Sequence, residues 1–152
     1  MLWGKTASDT MAVRGSVTTD ADGTRVPQAA GDGAVRTAVA DAIVQLYKRT
    51  RGAGPTRVRA TWVGRDAITV LLEDTLTPQE RTLAQAGHAR QVQETRGLLH
   101  VAMTGEARAA VEAITGRRVR ACVSGLDPDD GFATETFVFH AADGDGGPPH
   151  AA

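Results

Sequence analysis

Between residues 32 and 51 the apolar positions Val35, Val39, Ala42, Ile43 and Leu46 recur every three or four residues, the period of an amphipathic helix. Asp32 is its expected N-cap. From Arg57 the period changes to two. Val58, Ala60 and Trp62 alternate with Arg57, Arg59 and Thr61, and after Gly64-Arg65-Asp66 the alternation resumes at Ile68, Val70 and Leu72. This pattern predicts two strands paired as a hairpin. The stretch TLTPQERTL sets Thr77 as N-cap, Pro78 in the first helical position and Glu80 at the third, a capping box that opens a short helix. Gly87-His88 breaks that helix, and a longer one is predicted from about Ala89 to Thr115, ended by Gly116. Its buried side carries Val92, Leu99, Met103, Ala107, Ala110, Val111 and Ile114. Gly97 and Gly105 weaken it by about 1 kcal/mol each relative to Ala. Arg118 to Ser124 and Ala133 to Phe139 form a second hairpin across the turn DPDDG.

The order is therefore helix–hairpin, short helix, helix–hairpin. It predicts an α+β fold in which a four-stranded antiparallel sheet packs against helices on one face. The tetrapeptide RVRA opens each hairpin, at Arg57 and again at Arg118, consistent with an internal repeat. Nothing in the pattern supports parallel βαβ units.

Composition sets the limits of the domain. Residues 1–32 and 141–152 are rich in Gly, Ala, Thr, Asp and Pro without apolar periodicity, and are expected to be disordered tails around a domain of residues 33–140. Over the whole chain 17 basic residues face 18 acidic ones. So even a balance argues against nonspecific nucleic-acid binding. A single cysteine, Cys122, excludes an internal disulfide. No apolar run approaches a membrane span, and no leader-like segment opens the chain. A cytoplasmic protein without direct membrane insertion is expected.

Few stretches carry chemistry. KRTRGAGP runs helix, glycine turn, strand, the reverse of a phosphate-binding loop. Gly52, Gly54 and Pro55 are read as a helix stop, with Lys48, Arg49 and Arg51 at the negative end of the dipole. Arg57, Arg59, Arg118 and Arg120 can share the sheet face opposite the helices if the hairpins lie side by side. They then form either an anion- or partner-binding face or cross-strand pairs with Glu73 and Glu135. Arg96 falls on the apolar stripe of the long helix, where a charge needs a partner: a structural ion pair, an interface contact or a ligand contact. The four histidines and Cys122 show no metal-ligand spacing, and DPDDG reads as a hairpin turn. No catalytic motif is present, so no catalytic residue, metal or cofactor is expected. An enzyme would need a site assembled in the fold around Arg96 and Glu80.

YKRTRGAGP, ITVLLEDTLTPQERTL, the arginine of QETRGLLH and VEAITGRRV followed by FVF together resemble the MpsC-like domain, a component of a Na+-translocating, membrane-potential-generating system. The similarity runs from about Ala34 to Phe139. Carried over by position, its marked residues are Gly52, Gly54, Pro55, Leu76, Thr77, Pro78, Glu80, Arg96, Thr115 and Gly116. The resemblance implies a non-enzymatic accessory domain acting through a protein partner, such as a membrane transporter subunit, in ion or inorganic-carbon transport. A homodimer is expected through apolar residues on the second sheet face, Val63, Leu71 and either Phe137 with Phe139 or Val138. An anion- or nucleotide-binding sensor using the arginine face is the alternative. The last third is also similar to gas-vesicle accessory proteins, over a helix and a hairpin only.

Overall fold

A computed structural model describes residues 30–141. Apart from residues 30–32 and 141, the segments expected to be tails lie outside the described residues. Seven elements follow one another: α1 (Ala30–Arg51), β1 (Arg57–Val63), β2 (Ala67–Glu73), α2 (Pro78–Leu83), α3 (Ala89–Thr115), β3 (Val119–Asp127) and β4 (Phe132–Phe139). A π-helical turn over Ala84–His88 joins α2 to α3, with Gly87 at φ 89° making the break. α1 begins two residues before the expected cap, so Asp32 sits in its first turn, where its charge meets the positive end of the dipole.

Glycine and hydroxyl residues end these elements as their chemistry requires. Gly52 at φ 75° closes α1 by donating its amide to the Lys48 carbonyl at 2.9 Å, and Gly116 at φ 66° does the same to Glu112. These left-handed conformations suit glycine, which has no Cβ to clash. Asp127 ends β3 and turns the chain by accepting the amides of Asp129 and Asp130 on its own carboxylate, so the DPDDG segment is a hairpin turn.

All four strands join one antiparallel sheet in the order β1-β2-β4-β3. The helices cover one face. Between them lies a core of Val39, Ile43 and Leu46 from α1, Ile68, Val70 and Leu72 from β2, Phe137 and Phe139 from β4, and Met103, Ala107 and Val111 from α3. The strand periodicity that predicted β1 and β2 sends Val58, Ala60, Trp62, Ile68, Val70 and Leu72 inward. Among the described residues, no helix covers the other face.

The pattern left the strand order open: the hairpins meet along β2 and β4, which puts β1 and β3 at opposite edges. Three expectations for β3 and β4 are corrected. A β-bulge between Val119 and Ala121 interrupts the alternation of β3, so its inward residues are Val119, Cys122 and Leu126. The strand runs on to Asp127, three residues beyond Ser124. Finally, Glu135 shares the inward parity of Phe137 and Phe139 and is buried beneath the helices, away from the exposed face where it was expected.

Candidate functional site

Three helices converge under the sheet. Arg51 is the last residue of α1, Glu80 is the third of α2, and Arg96 lies early in α3. Glu80 does two jobs. Its carboxylate accepts the Thr77 amide at 2.7 Å while its own amide donates to the Thr77 hydroxyl at 3.2 Å, the capping box that the sequence predicted. The same carboxylate takes a forked contact from Arg96, Nε to Oε1 at 2.5 Å and Nη2 to Oε2 at 2.8 Å, and a third donor from Arg51 at 3.1 Å. Both guanidiniums also donate to the Thr75 carbonyl. Thr75 in turn donates its amide and hydroxyl to the Gly131 carbonyl in the β3–β4 turn.

The electrostatics of this cluster are uneven. The side chains of Arg51, Arg96 and Glu80 are only 4, 9 and 16% exposed, so two enclosed cations share one anion. Burial alone would raise the Glu80 carboxyl. The Arg96 hydrogen bonds, the Thr77 amide and the two guanidinium charges outweigh it and hold the pKa down to about 2. Burial, then the charge of Arg96, pulls the Arg51 guanidinium below its ordinary value against the opposing pull of Glu80. Arg51 lies over the Tyr47 ring, 5.1 Å from its centroid. Its Nε and Nη1 are buried and donate to nothing among the described residues.

A second carboxylate stands nearby. The Tyr47 hydroxyl donates to Glu135 at 2.7 Å, and His100 Nδ1 lies 3.3 Å from its other oxygen. Burial raises the Glu135 carboxyl above its usual range, although Tyr47, His100 and the charge of Arg96 oppose it. Burial, joined by the Glu135 charge and hydrogen bond, pushes the Tyr47 phenol far above its own. A cavity of about 170 Å³ lies between α1, α3 and the β3–β4 hairpin, with Arg51, Arg96, His100 and Glu135 among its walls. Exposed Gln93, Gly97 and Ser124 form its rim, where Gln93 donates to the Leu126 carbonyl at 3.0 Å.

The residues singled out in the sequence fall into three groups. Gly52, Gly116, Thr77 and Pro78 are caps and stops, Thr115 returns its hydroxyl to Val111, and Leu76 is buried against Gly131. Gly54 and Pro55 lie in the turn between α1 and β1, where the Lys48 side chain crosses Gly54. Arg96 and Glu80 meet as an ion pair. The four arginines of the sheet do not meet. Arg57 and Arg59 start one edge strand, and Arg118 and Arg120 start the other, which is antiparallel to it. The pairs are three strand spacings apart, roughly 14 Å, and at opposite ends of the sheet. Arg57 pairs with Glu73 across β1 and β2 at 3.3 Å, the cross-strand contact expected for it.

Sequence reasoning missed Arg51, Tyr47, His100 and Glu135 as neighbours of Arg96. One signal was available. Ala133, Glu135, Phe137 and Phe139 share a parity, and a carboxylate in line with two phenylalanines belongs to the inward face.

Taken together, the elements define a single α+β domain whose marked positions are helix caps, turns and one enclosed ion-pair cluster. Residues 32–141 match the family described as "Na+-translocating membrane potential-generating system (MpsC)", and the chain belongs to that family. No curated protein and no solved structure matches it. No described helix is long and apolar enough to cross a membrane.

Proposed function

We propose that the chain is a non-enzymatic accessory or regulatory domain that acts through a protein partner in a Na+-translocating, membrane-potential-generating system, at the cytoplasmic side of the membrane. The family match carries this reading. Two physical observations agree with it. A carboxylate held near pKa 2 by two guanidiniums is a poor proton acceptor at neutral pH, which favours a structural role for the Arg96–Glu80 pair. The sheet face that no described helix covers offers a docking surface, with Val63, Leu71, Val123 and Val138 between threonines, and we assign it to a second copy of the chain. Phe137 and Phe139 take no part, because they face the core.

The test is genetic and biochemical together. Cells lacking the protein are expected to hold a lower Na+-dependent membrane potential, read with a voltage-sensitive dye, and to regain it with the wild-type chain. The tagged protein is expected to co-purify, in mild detergent, with an integral membrane subunit of that machinery. An unchanged potential together with purification free of such a subunit would overturn the proposal.

A further inference from the structure

We propose that the cavity walled by Arg51, Arg96, His100 and Glu135 binds a small oxyanion that carries its own hydrogen-bond donor, a hydroxycarboxylate or a molecule of that size and polarity. The proposal stands apart from the partner reading and needs none of its elements.

Charge is the first argument. Buried charges require compensation, and among the described residues Arg51 and Arg96 have a single committed carboxylate, Glu80, between them. The two oxygens of Glu135 are engaged by Tyr47 and His100 and by neither guanidinium. Two guanidiniums therefore share one carboxylate, and an anion in the cavity adds a second negative charge beside them.

Unmet hydrogen bonds are the second. A buried donor left unpaired is costly, most of all on a charged group, and Arg51 Nε and Nη1 have no acceptor among the described residues. Arg96 spends Nε and Nη2 on Glu80 and Thr75, and its Nη1 donates to no described residue. Arg51 Nε and Nη1 are covered, so an anion at the cavity wall meets Arg51 first through its charge and gains its hydrogen bonds after a small side-chain rotation.

Size and the remaining lining set the ligand class. A volume of about 170 Å³ corresponds to about six waters at their share of the liquid, hence to a molecule of about that many non-hydrogen atoms. A nucleotide is far too large. Glu135 and His100 also line this space and offer an acceptor, which matches a hydroxyl or amine on the ligand. Gly97 lies among the lining residues on the helix side, and a Cβ built there meets nothing within 4 Å, which leaves room for a larger side chain over the opening.

The test uses the full chain, calorimetry and the NMR signals of the His100 ring. Glycolate is the probe, acetate lacks the donor, inorganic phosphate changes the shape, and sodium chloride controls for ionic strength. Glycolate is expected to saturate with a shift of His100, more tightly than acetate. Arg51→Gln is expected to weaken it by about tenfold to a hundredfold, the span of one to two charged hydrogen bonds. Gly97→Leu closes the rim without touching the charged cluster, so it is expected to abolish binding in a protein that still folds. Absence of saturation with all three anions overturns the proposal. So does glycolate binding that survives Gly97→Leu unchanged, or that moves signals of the sheet arginines and leaves His100 still.

Discussion

Glu80, held by Arg51 and Arg96, and Glu135, held by Tyr47 and His100, respond to pH in opposite directions. Glu80 has a folded pKa near 2, below its ordinary 4.5. Its contribution to stability is complete above pH 4.5 and is lost as the pH falls from there towards 2. Glu135 is shifted upwards from 4.5. Its contribution is complete below pH 4.5 and declines as the pH rises through its folded value. Glu80→Gln is therefore expected to remove part of the acid-side loss of melting temperature, whereas Glu135→Gln is expected to stabilise at neutral pH and to converge with wild type near pH 4. Melting curves from pH 2 to 8 check both signs. In the sequence, the capping role of Glu80 was legible because its partner lies three residues away. Its ion-pair role was not, because Arg51 and Arg96 stand 29 and 16 residues from it and only the fold brings them together.

α2 is a six-residue helix with no buried residue of its own, so its cap and the Glu80 contacts hold it in place. Thr77→Ala removes the hydroxyl that accepts the Glu80 amide and is expected to cost about 1 kcal/mol. Thr77→Ser keeps that hydroxyl and should recover most of the loss in a denaturant titration. α3 offers the reverse case. Gly105 is helical, and an added Cβ meets no atom within 4 Å. Gly105→Ala is therefore expected to raise stability by up to about 1 kcal/mol. These local devices read directly from the sequence, as did the order of elements and the inward faces of β1 and β2. The bulge in β3 did not, because RVRA at residues 118–121 looks identical to RVRA at 57–60. In β1 the alanine of this motif faces the core, whereas in β3 the extra residue turns Ala121 to the outer face opposite Val138.

At the scale of the molecule, the sheet order relates the unit α1-β1-β2 to the unit α3-β3-β4 by an approximate two-fold axis through the β2–β4 pair. The same relation explains why the two arginine pairs lie at opposite corners. Propensity and pattern define each hairpin, but strand order depends on which edges meet, and no local signal specified that. The middle of the sheet face that no described helix covers is the row Thr61, Thr69, Thr136 and Val123, and beside it Val63, Ala67, Val138 and Ala121 form an uncharged apolar row, with Arg57, Arg59 and Glu73 grouped at the far corner. A second copy can lay its own apolar row against it. Sedimentation is expected to show a dimer at micromolar concentration, and Val138→Lys, facing outward beside Ala67 and Ala121, is expected to shift it to monomer. A wild-type monomer under those conditions would overturn the assignment of this face.

The seam between β2 and β4 also governs how the chain assembles. Each hairpin closes over a few residues, whereas the seam joins Ala67 to Val138 and Leu72 to Ala133, so its ladder closes a loop of about sixty to seventy residues and carries a larger entropic cost. Both αββ units can therefore acquire their local shape before they dock, with the seam zipping late. Contacts made after the rate-limiting step change the unfolding rate and leave the folding rate nearly untouched. The hydroxyls of Thr69 and Thr136 meet across the seam at 3.0 Å. Replacing this pair by valine should steepen or lift the unfolding limb of a chevron plot while the refolding limb stays where it is, which would make the seam the element that sets the lifetime of the native state.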